Sequence, residues 1–142
     1  MTLTDMDRAA LDGLIQAATQ AAEQSYSPYS GFKVGAALKL TNGEVVTGTN
    51  IENMSYGLTI CAERAALAAA VSRFGPKMNI AAVAITNLND SPSPPCGACR
   101  QMLAEFILPD APVTFPGRDG VQTMRFRELL PLAFELQLKR TD

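Results

Sequence analysis

The spacing of hydrophobic and polar positions changes several times along the chain, and each change marks an element. Over residues 7–24, Leu11, Leu14, Ile15, Ala18, Ala21 and Ala22 recur every three or four positions, the rhythm of an amphipathic helix, with Thr4 and Asp5 placed to cap it. Ser25-Tyr26-Ser27-Pro28-Tyr29-Ser30-Gly31 breaks that rhythm and predicts a loop. Phe32, Val34, Ala36, Leu38 and Leu40 then alternate with Lys33, Gly35, Ala37 and Lys39, the two-residue period of a strand. Asn42-Gly43 is a strong turn signal, and Glu44-Val45-Val46-Thr47-Gly48-Thr49 follows it, so residues 32–49 predict an antiparallel hairpin. The polar run Asn50-Ile51-Glu52-Asn53-Met54-Ser55-Tyr56-Gly57 ends the second strand in a loop, a common place for ligand contacts.

Residues 61–74 are rich in alanine and stop at Gly75-Pro76, which predicts a buried helix. Ile80-Ala81-Ala82-Val83-Ala84-Ile85 is a short apolar run with the character of a central strand covered on both faces. A loop of prolines and serines over residues 87–95 leads to a second helix over residues 96–107, with Met102, Leu103, Phe106 and Ile107 expected to face the core. Pro112-Val113-Thr114-Phe115 and Val121-Gln122-Thr123-Met124 read as two further strands joined around Asp119-Gly120, for a total of five. Residues 127–130 predict a short helix near Pro131, and residues 134–139 carry a weak helical pattern. Strands alternating with covering helices place the fold in the α/β class, as a three-layer helix–sheet–helix sandwich on a five-stranded mixed sheet. No repeat or linker divides the chain, so residues 1–142 are expected to form one domain.

Composition narrows the chemistry. The chain of 142 residues is 47% hydrophobic and 18% charged, enough for one real core. Its net charge of −2 gives no basic surface for a nucleic acid polymer, and a small ligand is the expected partner. The first residues show no signal-peptide pattern, and no apolar stretch is long enough to span a bilayer as a helix. An odd number of cysteines without a secretion signal points to reduced thiols in a cytoplasm rather than to a disulfide framework.

Those cysteines lie in two stretches, Cys61-Ala62-Glu63 and Pro95-Cys96-Gly97-Ala98-Cys99-Arg100. Cys96 and Cys99 have the C-x-x-C spacing of a metal knuckle, Cys61 is a third thiolate, and the chain has neither a fourth Cys nor a His to close the shell. Three protein ligands and one open position form the pattern of catalytic zinc, whereas structural zinc sites are usually closed by four. The alternative is three buried cysteines acting as small apolar residues, which a Gly-containing C-x-x-C behind a proline disfavours. Both stretches are expected to open helices, whose positive ends offset the negative charge of three thiolates. Arg64 and Arg100 stand next to ligands and are candidates to donate to the sulfurs.

Lowering the pKa of water from 15.7 to about 7 represents roughly 12 kcal/mol of differential stabilisation. Three thiolates donate more charge to zinc than three imidazoles, so a base beside the metal is needed. Glu63, a carboxylate two residues from Cys61, is placed to accept and pass on a proton from the first helical turn.

Cys61-Ala62-Glu63 followed by Pro95-Cys96-Gly97-Ala98-Cys99-Arg100-Gln101 resembles the short, zinc-dependent cytidine deaminases. The resemblance runs from the Tyr-Ser-Pro-Tyr-Ser loop through Phe32-Lys33-Val34-Gly35-Ala36-Ala37 to Glu128-Leu129-Leu130-Pro131. It implies one Zn²⁺ per subunit, a homotetramer, and hydrolysis of cytidine and 2′-deoxycytidine to the uridines plus ammonia, a step of pyrimidine salvage. It further implies that Asn50 and Glu52 hold the ribose 3′-hydroxyl, that Phe32 stacks near the pyrimidine, and that the Ala62 N–H meets the 2-oxo group. Tyr56 is implied to reach a neighbouring subunit's ribose, and Phe134 to approach an adjacent active site. The family often has Ser-Pro-Cys where this chain has Pro94-Pro95-Cys96; the carbonyl implied to accept from the leaving amino group is then that of Pro94, which proline retains. A blasticidin S type deaminase shares the cysteine motifs, but Asn50 and Glu52 argue against it. A polynucleotide-editing deaminase conflicts with the acidic balance. A non-catalytic zinc module conflicts with Glu63 and the open fourth position.

Overall fold

The computed structural model describes residues 8–136. Helix α1 spans Arg8–Ala22, so the expected caps Thr4 and Asp5 lie outside the described residues. Strands β1 (Val34–Leu40) and β2 (Val45–Thr49) form the expected hairpin, closed by Gly43 at φ +90° and by the Glu44 N–H donating 2.9 Å to Asn42 Oδ1. Helix α2 (Ala62–Phe74) leads to β3 (Ile80–Asn87), and helix α3 (Gly97–Leu103) leads to β4 (Pro112–Gly117). Strand β5 (Gly120–Arg125) and the single-turn helix α4 (Phe126–Leu129) follow.

The sheet order is β2-β1-β3-β4-β5, with β3 antiparallel to β1 and parallel to β4, so the expected mixed five-stranded sheet is present. Alternation along β1 and β3 decides which helix covers which face. Ala37, Ala82 and Ala84 meet Leu14 and Ala18 of α1, whereas Ala36, Leu38, Val83 and Ile85 join Ala66, Leu67 and Leu103 of α2 and α3 in the larger core. Small residues on the first face let a helix lie close. A Cβ on Gly35 would collide with Ala18 O and stand 2.6 Å from Ala22 N. The opposite face has the same device at Gly48, where a Cβ would strike Ala66 N and lie 2.7 Å from Ala62 O. Gly48 thereby sets the height at which the start of α2 rests on the sheet.

Two expectations need correction. The second helix ends at Leu103 rather than near residue 107, because the chain turns out to pair with the start of β3: Ile80 N–H donates to Phe106 O at 2.9 Å and Leu108 N–H to Ile80 O at 3.0 Å. Pro109 reinforces this, since the residue before a proline disfavours helical backbone. With the helix cut short, Leu103 and Ile107 are buried and Phe106 packs beside the core, but Met102 points to solvent. The weak helical pattern over residues 134–139 gives no helix at residues 134–136, and its remainder lies outside the described residues.

Candidate active site

Cys61 and Cys96 are the N-cap residues of α2 and α3, each in extended backbone just before its helix begins. Cys99 follows in the first turn of α3 and is fully buried. The three sulfurs lie within 4.8 Å of one another, and Cys96 and Cys99 are 3.4 Å apart. Sulfurs held tetrahedrally at zinc's usual bond length stand about 3.8 Å apart, so the donor set fits this metal in type, number and spacing.

Arg64, one turn into α2, donates from Nη2 to Cys61 Sγ at 3.4 Å and to Thr59 O at 3.4 Å. Its Nε is buried without a hydrogen-bond partner, so the compensation for that burial is the charge of the sulfurs. Hydrogen bonding from the Cys99 thiol, joined by Arg64, brings Cys61 well below the ordinary thiol range. The same contact and burial push Cys99 up, since one proton is shared between neighbouring sulfurs. Of the two candidate arginines, Arg64 reaches a sulfur and Arg100 bonds elsewhere. Its Nε donates to Pro95 O at 2.7 Å and its Nη1 to Leu129 O at 2.9 Å.

Glu63 is the second residue of α2 and only 5% exposed. Burial raises its pKa above the ordinary 4.5, and the Cys61 charge adds to the effect. A carboxyl so placed accepts a proton more readily than a solvated one.

Glu63 lines a cleft of about 220 Å³ together with Phe32, Asn50, Cys61, Ala62 and Cys96. Of the residues singled out from the sequence for the site, these six and Pro94 converge on one cavity, with Cys99 buried beside it. Ala62, as the first residue of α2, has an N–H without an intrahelical acceptor. Asn50 is buried and largely occupied: Oδ1 accepts from Val34 N–H at 3.0 Å and from Ser25 Oγ, while Nδ2 donates to Phe32 O at 2.8 Å. One Nδ2 proton remains for a ligand.

Glu52 and Tyr56 are not among the residues lining this cleft. The Glu52 carboxylate instead accepts from the N–H groups of Tyr29 and Ser30, at 3.0 and 3.1 Å, and from the Ser30 hydroxyl. These bonds, led by the Ser30 hydroxyl, hold its pKa below the ordinary value. Tyr56 is 77% exposed and meets Tyr29 edge-on, with ring centroids 6.3 Å apart. Phe134 is exposed as well. The sequence reading missed Thr59 and Ser93, two polar residues of the cleft. Ser93 carried a usable signal, its place in the proline loop that delivers Cys96.

Among the described residues no helix is long and apolar enough to cross a membrane. Residues 9–114 match the family model described as the cytidine and deoxycytidylate deaminase zinc-binding region. A cytidine deaminase of Halalkalibacterium halodurans is 48% identical over 122 residues, which is 85% of this chain and 91% of that relative. One from Mycobacterium tuberculosis is 45% identical over 119 residues, 84% of this chain and 85% of that protein. The crystal structure of cytidine deaminase from Burkholderia pseudomallei superposes with a TM-score of 0.79 at 43% identity, covering 91% of this chain and 100% of that one. With three thiols converging at two helix starts and a matching sequence across most of its length, this chain belongs to the family of cytidine and deoxycytidylate deaminases that bind zinc.

Proposed function

We propose that the protein is a zinc-dependent cytidine deaminase that converts cytidine and 2′-deoxycytidine, with water, to uridine and 2′-deoxyuridine plus ammonia. One observation carries this reading: a buried carboxylate, Glu63, beside three converging sulfurs, in a cleft that also presents Asn50 and Phe32. Cys61, Cys96 and Cys99 would hold one Zn²⁺ per subunit. When bound, the metal supplies a Lewis acid that makes water a nucleophile near neutral pH.

The other roles belong to side chains. Glu63 takes one proton from water as its oxygen bonds to C4 and delivers that proton to N3 of the cytosine ring. It then takes the second proton from the same oxygen, which becomes the C4 carbonyl, and passes it to the amino nitrogen as the C4–N bond breaks and ammonia leaves. The Ala62 N–H orients the ring through its 2-oxo group, and Phe32 covers a face of the base. Asn50 donates its remaining Nδ2 proton to the 3′-hydroxyl, and Glu52 joins it once its bonds to Ser30 are exchanged for the sugar. None of these groups is assigned to the 2′ position, so the reading takes in both nucleosides without ranking them.

The catalytic unit is the single domain of residues 1–142, working in the cytoplasm in pyrimidine salvage as a homotetramer. Exposed apolar side chains support that assembly: Tyr26, Tyr29, Ile51, Met54, Tyr56 and Leu58 crowd two neighbouring loops. In the tetramer Tyr56 reaches a neighbour's ribose and Phe134 an adjacent site. Light scattering is expected to give a mass of four chains, and a monomer overturns both aromatic assignments. The zinc-loaded protein is expected to remove the ultraviolet absorbance of cytidine while releasing ammonia in equal amount. No turnover of either nucleoside overturns the reading.

A further inference from the structure

The cleft's wall nearest Cys96 is built by residues 91–96, and it has almost no backbone means of staying in place. Pro92, Pro94 and Pro95 lack N–H groups, and Ser93 N–H makes the segment's bond to the sheet, 2.9 Å to Pro116 O. Pro95 is the wall's buried member, whereas Pro92 and Pro94 are exposed. Pro94 lines both the 220 Å³ cleft and, on its other side, a larger concavity of about 870 Å³ bounded by Pro92 and the β4–β5 hairpin. Pro95 anchors one end inward, and the stretch before it, standing between two open spaces, is fixed by hydrogen bonds.

Two side chains provide them. Asn87, the last residue of β3, accepts at Oδ1 from the N–H groups of Asn89 and Ser91, at 3.0 and 3.3 Å. Its Nδ2 donates to Ser91 O at 2.7 Å and to Ser93 Oγ at 2.9 Å, which leaves the Ser93 hydroxyl proton free to point elsewhere. At the other end Arg100 grips Pro95 O and Leu129 O with separate nitrogens, tying the wall to α4. Lysine cannot reproduce that fork, because it offers one ammonium instead of spaced planar donors.

We infer that Asn87 and Arg100 are positioning residues that clamp the proline wall, setting the Ser93 hydroxyl and Pro94 carbonyl against the amine-bearing carbon of the substrate. This rests on cytidine deamination as the reaction. The carbon that loses its amine must lie over the sulfurs, and Ser93 and Pro94 are the cleft residues that immediately precede Cys96. Cytidine carries a donor at that carbon where uridine carries a carbonyl, so an acceptor in the wall favours substrate over product.

The test is Asn87→Asp, which keeps the acceptor bonds and loses both donor bonds, alongside Arg100→Lys. In each, the KM for cytidine is expected to rise roughly five- to tenfold, the size of one lost hydrogen bond, while the inhibition constant of uridine stays within about twofold. A purely structural role moves both constants together or neither, and either outcome overturns the clamp. Amide hydrogen exchange of the substrate-free protein reads the same wall without activity. Exchange is expected to quicken over residues 88–96 in both variants, and beyond them only near Leu129 in Arg100→Lys, and unchanged exchange over residues 88–96 overturns the inference. If Arg100→Lys fails to fold, Asn87→Asp at its half-exposed strand end decides alone. A parent protein inactive on cytidine sinks the reaction, and the exchange measurement then still decides the clamp.

Discussion

The two sides of the cleft are built by different means. On the metal side, groups reach the cavity because helices begin there: Cys61 and Cys96 are N-caps, and Ala62, Glu63 and Cys99 occupy first turns. On the side proposed to hold the sugar, Phe32 and Asn50 line the cleft and Glu52 stands outside its lining, all on irregular backbone held by side-chain bonds to main-chain groups, such as Asn50 to Val34 and Phe32, or Glu52 to Tyr29 and Ser30. The metal side has its groups free for chemistry and its backbone carried by regular structure. The sugar side spends the same polar atoms on holding itself together. A binding residue there does two jobs, and a mutation will confuse them unless they are measured separately.

The comparison is most easily broken on the metal side. Cys99→Ala removes one of three thiolates at a buried position, so zinc is expected to fall below stoichiometric by elemental analysis and deamination to vanish. Full metal content in that variant removes Cys99 from the ligand set. Glu63→Gln is expected to be gentler on the metal and nearly as severe on turnover. It keeps the shape and zinc but cannot accept a proton, and kcat should drop about 10²- to 10⁴-fold, the usual worth of a general base. Near-normal kcat would show that the proton travels another way. Neither substitution should disturb the sugar-side loops.

What could be read in advance follows the same division. The knuckle, the third cysteine and Glu63 were legible because helix starts place residues by local spacing alone. The five strands were legible for a similar reason, since β1 and β3 alternate or run apolar with little ambiguity. The missed features depend on contacts distant in sequence. That Asn50 would be occupied by Val34, Phe32 and Ser25 requires knowing that β1 lies beside the end of β2. Position beside Cys99 left Arg100 equally open to the sulfurs or to the surface, and its side chain does neither, running to Pro95 and to Leu129, twenty-nine positions away. The early end of α3 likewise depends on Ile80, which pairs with Ile107 from another element.

Asn50→Ala sharpens the comparison from the sugar side. It strands the Val34 N–H and Phe32 O, both partly shielded, and leaving such groups unpaired costs about 1–3 kcal/mol. The melting temperature is therefore expected to fall along with affinity, whereas Glu63→Gln lowers turnover without a comparable fall. Calorimetry beside kinetics separates the two, and an Asn50→Ala protein as stable as the parent would mean that the amide serves the ligand only.

The smallest effect is expected at Glu52, and it depends on pH. Its folded pKa lies below the ordinary 4.5, because the Ser30 hydroxyl and the Tyr29 and Ser30 N–H groups favour the carboxylate. A depressed pKa contributes stability that is complete above the unfolded value and lost as pH falls through the folded one. Glu52→Gln should thus be slightly less stable than the parent at pH 7, and the gap should close as the pH is lowered beneath about 4.5. Acid also acts on groups outside this loop, but it does so in both proteins, so the difference between their melting curves isolates the loop. The residue is exposed enough for solvent to compete for these bonds, which keeps the stability effect small while the KM for cytidine still rises. A gap that persists unchanged into acid would show that the carboxylate charge does not hold residues 29–30, and that the loop keeps its shape through its other bonds, such as Asn89 to Gly31 O and Lys33 N–H.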